Sequence, residues 1–257
     1  MAQSAAVTGV ARFEAYVASA TATEPLPCVH TCEGIYFRRV SEQRRLLGGA
    51  SDPIVFLFYG RPAYRPSKTE LSTRNLAYAP VTMVLRQNQI LAPYKIFPFD
   101  SGAFETELYK RHLHPSMALD DFLMSGPIDV AGKLVTRFYG SNRDYYSGST
   151  SAPAPPPLEF EAMSYYNLIT DPGPTTFDDR RGSIEIQVRG ELMLSSLSVE
   201  LVILPTQYLA DAEFRKTILD YWKADIRNYT LYHDRPNSYI AQIRALVEEY
   251  YEEKKYI

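Results

Sequence analysis

Cysteine is nearly missing from this chain: Cys28 and Cys32 are the only two in 257 residues. Such scarcity excludes a disulfide-stapled fold and fits a reducing compartment. Their Cys-x-x-x-Cys spacing brackets His30, but no second cysteine pair exists to complete a zinc site, so both read as buried thiols. Tryptophan occurs once, and no apolar run approaches the roughly 20 residues that a membrane-spanning helix needs. Residues 1–22 lack the basic start and unbroken apolar run of a signal peptide, since Arg12 and Glu14 interrupt them, so a cytoplasmic protein is expected. A positive charge excess is missing too. The net charge of −3 removes any global electrostatic argument for nucleic-acid binding. P-loop, G-x-G-x-x-G, G-x-S-x-G and Cys–His protease signatures are all absent.

What the chain does have is tyrosine, 20 of them, which serves equally in a core, an interface or a stacking pocket. The length suits a single domain over 1–257 with no need of staples. Residues 1–25 read as an N-terminal arm or weak helix closed by Pro25 and Pro27. A short strand over Cys28–Thr31 is followed by an amphipathic helix from Glu33 to Leu47, ended by Gly48-Gly49. Ile54–Tyr59 reads as a strand buried on both faces, and it runs into a Gly60-Arg61-Pro62 turn. Val81–Leu85 is a second strand, Ile90–Phe99 with its two prolines an irregular or edge strand, and helices are expected at Phe104–Arg111 and from Ser116 to Gly126. Residues 140–157, rich in Ser, Gly and Pro, read as a flexible loop.

Beyond that loop, Ser183-Ile-Glu-Ile-Gln-Val188 alternates with period two. Ile184, Ile186 and Val188 share one face, and Ser183, Glu185 and Gln187 share the other. A strand over Ser198–Leu204 ends at Pro205, and a C-terminal helical pair over 211–257 is capped by Asp211 and Ser238. The class expected is α+β, with a mixed or antiparallel sheet core and flanking helices.

Three places could carry chemistry together. His30-Thr31 sits at a strand end, where both side chains can bond a ribose hydroxyl. Tyr59, Arg61, Tyr64 and Arg65 gather cationic and aromatic groups at the end of the next strand. Glu185 is a carboxylate on a rigid strand, where catalytic groups are best held. His112-x-His114 has metal-like spacing without a recognisable third ligand, and Arg38, Arg39, Arg44 and Arg45 at helical spacing read as a solvated face.

The order Val29-His30-Thr31, Pro53–Arg65 and then Arg180-Arg181-Gly-Ser-Ile-Glu185-Ile-Gln187 resembles the ADP-ribosyltransferase fold, most closely the DarT-type toxins that modify DNA. The matching pieces cover about a tenth of the chain, and their spacing extends over most of it. The resemblance implies NAD as the substrate of a toxin or defence effector acting on a nucleic acid or another target. It implies that His30 and Thr31 hold the nicotinamide ribose. Tyr59, Arg61, Tyr64 and Arg65 would stack on nicotinamide or pair with the pyrophosphate. Glu185 would stabilise the oxocarbenium-like sugar and deprotonate the nucleophile, with Gln187 beside it. Ser183 stands where arginine-modifying members usually carry a glutamate, which argues against arginine as acceptor. The alternative is a non-catalytic interaction module, a scaffold or antitoxin-like subunit with a protein partner or a second copy of itself. A third reading is nucleic-acid binding through Arg38–Arg45.

Overall fold

The computed structural model describes residues 12–48, 53–63, 72–86, 93–171, 179–195 and 198–257. A seven-stranded sheet organises them. In chain order its strands are β1 (Cys28–Glu33), β3 (Ile54–Tyr59), β4 (Pro80–Leu85), β5 (Lys95–Phe97), β6 (Glu185–Arg189), β8 (Val199–Pro205) and β9 (Asp225–Tyr229). Their spatial order is β5-β6-β3-β1-β4-β8-β9, antiparallel throughout except for the parallel β8–β9 pair. A separate ribbon pairs β2 (Arg45–Leu47) with β7 (Glu191–Met193). The class is thus a mixed sheet with helices, as the alternation of the sequence predicts.

The sheet is two halves joined by a short seam. β1 pairs with β4 along six residues, and β3 with β6 along five, whereas β1 and β3 register only at Cys28–Tyr59 and Val29–Phe58. Beyond those two pairs the strands part, and the His30 ring bridges the gap by donating from Nδ1 to the Phe56 carbonyl at 3.0 Å.

Each face of the sheet is covered by its own helices. One face, through Cys28, Leu57, Tyr59, Met83 and Ile186, packs into the main core with α1 (Arg12–Ala18), α2 (Gly34–Gln43), α4 (Asp129–Phe138) and α6 (Phe160–Thr170). The other, through Val29, Val84, Leu201 and Ile203, packs under α8 (Ile240–Lys254) by way of Ile243, Val247 and Tyr251. α5 (Asn142–Ser147) closes one end of the sheet and sends its consecutive tyrosines to different cores, Tyr145 to the first and Tyr146 to the second.

Several boundaries differ from the sequence reading, for physical reasons. The amphipathic helix stops at Arg44, which turns left-handed with its guanidinium carbon 3.8 Å from the centre of the Tyr221 ring, and the following residues become β2. Phe56 is 46% exposed, so β3 is covered on one face only over part of its length. The 140–157 segment begins with α5, capped by Ser141 and ended by a left-handed Gly148, and its serines at 149 and 151 bond back to Asp144. Between Phe104 and Gly126 the expected helices reduce to α3 (Ser101–Glu105), which starts at the Asp100 cap, and a 3-10 turn over Leu119–Phe122. The C-terminal pair is interrupted by β9. Its first helix, α7 (Ala212–Lys216), takes the Asp211 cap as expected and continues as a π-helical stretch over Thr217–Trp222, while α8 enters through a 3-10 turn over Pro236–Tyr239. Of the expected arm or weak helix over 1–25, the described residues form α1, with Phe13 and Val17 fully buried.

Gly34 opens α2 under tight constraint. A Cβ there would overlap the Leu76 carbonyl and the Tyr208 hydroxyl, and the first of these is backbone that cannot swing away. Gly34→Ala is expected to cost about 1–3 kcal/mol through overpacking, read as a lower urea midpoint at unchanged slope. No helix among the described residues is long and apolar enough to cross a membrane.

Candidate functional site

Glu185 is the first residue of β6, and it stands opposite Phe58 of β3 and Phe97 of β5. Alternation along β6 sends Ile186 into the main core and turns Glu185 and Gln187 to the other face. The sequence predicts that division, and the carboxylate it places there is 2% exposed.

Three donors hold the carboxylate. The Ser101 hydroxyl donates to Oε1 at 2.8 Å, the Ser101 N–H to Oε2 at 3.1 Å, and Gln187 Nε2 to Oε1 at 2.7 Å. None of these partners is a cation. Lys95, which registers with Gln187, sits 3.8 Å from Asp120. Burial therefore dominates: it pushes the Glu185 carboxyl up to about 7, against the opposing pull of the Gln187 and Ser101 hydrogen bonds and with the neighbouring Asp100 adding to the rise. A carboxyl poised near neutrality on a rigid strand can accept a proton or face a developing positive charge.

Ser101 is part of the site and was not foreseen. Asp100-Ser-Gly-Ala-Phe104 reads from sequence only as a turn. In the fold Asp100 Oδ1 caps α3 by accepting from the Ala103 N–H at 2.7 Å, and this fixes Ser101 against Glu185. The cap residue was the available signal. The contact across 84 residues was not.

His30 is placed elsewhere. Val29 registers with Phe58 and Phe58 with Glu185, so Val29 and Thr31 share the carboxylate's face while His30 looks to the opposite one. There His30 lines a cavity of about 480 Å³ with Cys32, Tyr36, Arg39, Arg45 and Leu47 among its walls, and Glu185 is not among them. Because the Phe56 carbonyl can only accept, His30 carries its proton on Nδ1 and leaves Nε2 as an acceptor. Burial lowers its pKa, partly offset by that bond, so the ring is neutral. The expected convergence of His30 and Glu185 on one face is not what the register gives.

Thr31 lies on the Glu185 face, but its hydroxyl is 2.9 Å from that of Thr82 on β4. Tyr59 points into the main core, where its hydroxyl accepts from the Leu26 N–H at 3.0 Å and burial pushes its pKa up to about 12. Arg61 is 3% exposed. Its Nη1 donates to the Gly182 carbonyl at 3.0 Å, and its guanidinium carbon lies 5.4 Å from the centre of the Tyr145 ring. Arg61 braces the entrance of β6 and Tyr59 the entrance of β1, both from within the protein. Tyr64 and Arg65 fall outside the described residues.

The remaining candidates resolve into structural roles. His112 Nε2 is 3.0 Å from Asp171, and His114 Nδ1 accepts from the Ser116 N–H at 3.1 Å. No group of three metal-ligating side chains occurs among the described residues. Arg38 pairs with Glu42 and Arg45 with Glu191. Cys28 and Cys32 are free and buried, and burial pushes the Cys32 thiol up to about 12 and the Cys28 thiol higher still. Neither thiol is expected to react with a maleimide in the native protein at pH 7.5, and both should react in denaturant, as counted by mass spectrometry. Comparison of the chain with family models, with curated proteins and with solved structures yields no match.

Proposed function

We propose that this chain is an NAD-consuming, ADP-ribosyltransferase-like enzyme in which Glu185 is the reacting carboxylate. One observation carries the reading: a buried carboxylate on a strand, raised to about 7, held by three neutral donors and, among the described residues, by no cation. Keeping such a group uncompensated is costly, and the cost is repaid when positive charge arrives. Cleavage of NAD supplies that charge. The bond from ribose C1′ to the pyridinium nitrogen breaks, nicotinamide leaves with the electron pair, and the sugar becomes cationic. The acceptor then attacks C1′ and loses a proton, which the Glu185 carboxylate can take.

Gln187 and Ser101 orient the carboxylate in this reading, and Thr31 lies on the same face. His30 and the cavity it lines with Tyr36, Arg39 and Arg45 lie on the opposite face of the sheet and take no part in the step at Glu185. The acceptor is a nucleic acid or another target. The test is release of nicotinamide from NAD, followed by chromatography, with DNA, RNA and cell-extract protein supplied in turn. Release in any arm, rising with pH around a midpoint near 7, is the expected result; no release in any of them contradicts the reading.

The alternative, a non-catalytic interaction module, has in its favour the exposed Tyr36, Leu47 and Met193 on α2 and the β2–β7 ribbon. NAD would then fail to raise the melting temperature, while a stoichiometric protein partner would raise it by mass action.

A further inference from the structure

We propose that Tyr145 is the positioning residue for Glu185, its hydroxyl set between the two chains at the end of the β3–β6 ladder, one residue before the carboxylate. This rests on the reading of Glu185 as the reacting group. An antiparallel hydrogen-bonded pair exchanges two N–H···O bonds. Between Tyr59 and Ile184 only one of them is direct, from the Tyr59 N–H to the Ile184 carbonyl at 2.9 Å. The reciprocal bond runs through Tyr145: the Ile184 N–H donates to Tyr145 Oη at 3.1 Å, and that hydroxyl donates to the Tyr59 carbonyl at 2.7 Å. A phenol inserted in this way holds Ile184 away from Tyr59, at the residue that delivers Glu185 into β6. The next pair, Phe58–Glu185, is in ordinary register.

Only a neutral hydroxyl can donate and accept at once, and Tyr145 is fully buried, which keeps it protonated. Its position is set from outside the sheet. The Ser141 hydroxyl caps α5, Tyr146 Oη donates to the Arg244 carbonyl of α8 at 2.7 Å, and Arg143 reaches Glu252 at 3.0 Å.

A second brace holds the approach to the site. Tyr139 Oη meets the Gly182 carbonyl at 3.2 Å and Tyr165 Oη at 2.9 Å, and Tyr165 Oη reaches the Pro98 carbonyl at 3.1 Å. Gly182 leads to Glu185, and Pro98 leads to Ser101. The two tyrosines therefore tie together the segments that deliver the carboxylate and its main donor.

The experiment is a 13C NMR titration of the glutamate carboxyls, with the Glu185 signal assigned by its loss in Glu185→Gln. In Tyr145→Phe the Ile184 N–H can close directly on Tyr59, β6 shifts, and the Ser101 donors are weakened. Donors to the charged form lower a pKa, so their loss should raise the Glu185 midpoint by about half a pH unit or more. Tyr229→Phe is the control, since it removes another buried hydroxyl bonded to a backbone carbonyl, that of Pro80 at 2.7 Å, far from Glu185. The Glu185 midpoint should not move in it. Tyr165→Phe is titrated alongside and decides the matter if Tyr145→Phe does not fold: it should also raise the midpoint. A Glu185 midpoint unchanged in the folded tyrosine variants, or moved equally in the control, overturns the proposal. Because the readout is a titration rather than turnover, this outcome is distinct from failure to release nicotinamide.

Discussion

Glu185→Gln is expected to lower nicotinamide release from NAD by about 10²–10⁴-fold with the fold intact. A carboxylate about 4 Å from a unit positive charge, at the effective dielectric of a protein site, contributes on the order of 4 kcal/mol, or roughly 10³ in rate. Glutamine keeps the shape and an acceptor oxygen for Ser101 but loses the charge and the proton-accepting capacity. Residual activity would come from binding alone.

The same substitution has a signature in stability that needs no substrate. The Glu185 pKa is about 7 when folded against an ordinary value of 4.5, so the native state binds more protons than the unfolded state between those values. Stability therefore falls as pH rises through that window, by up to about 3 kcal/mol, and the stabilisation is fully present only below pH ~4.5. Wild type should lose more stability than Glu185→Gln between pH 5 and pH 8 in urea titrations. Equal losses would mean that the carboxyl is not poised as described.

The largest effect on the fold is expected from Trp222→Ala, about 3–5 kcal/mol of lost stability. Trp222 is fully buried at the end of the π-helical stretch, with its ring centre 6.2 Å from that of Phe37 on α2. Phe37 is also engaged by Phe214, ring centre to ring centre at 5.1 Å, which limits its freedom to fill the space. The melting temperature should drop by roughly 6–20 °C, a range set by the transition entropy of a chain this long. Trp222→Phe keeps most of the volume and should lose less than half as much. A loss below 1 kcal/mol for the alanine variant would show that the helix pair and α2 are not packed as a unit.

How much of this was legible in the sequence depended on range. β6 was readable because a period-two pattern is local: Ile184 and Ile186 had to face a core, and that alone turned Glu185 the other way. Asp211 as a cap was readable for the same reason, since its acceptor serves an N–H three residues on. β9 was missed because Asp225-Ile-Arg-Asn-Tyr229 has no apolar alternation. It is an edge strand, held by its parallel ladder to β8. α4 and α6 flank the 140–157 segment, whose Ser, Gly and Pro give a stronger local signal than either helix.

The candidate site was half legible. Glu185 and Gln187 fall side by side as the alternation requires, but the face on which His30 lies is decided by the register of β1 against β3, which no local pattern specifies. Arginine and tyrosine in Tyr59-Gly-Arg61 looked like surface ligands by composition. Burial turned them instead into braces for Gly182 and Leu26. Ser101 needed a contact that only the folded chain brings about.

The most direct measurement is the Glu185 midpoint, followed by carboxyl 13C NMR, without and with saturating NAD. A bound pyridinium beside the carboxylate should pull the midpoint well below its starting value near 7, because an adjacent positive charge favours the ionised form. A midpoint unmoved by NAD, in a protein that other signals show to have bound it, would contradict the assignment of Glu185 to the nicotinamide ribose.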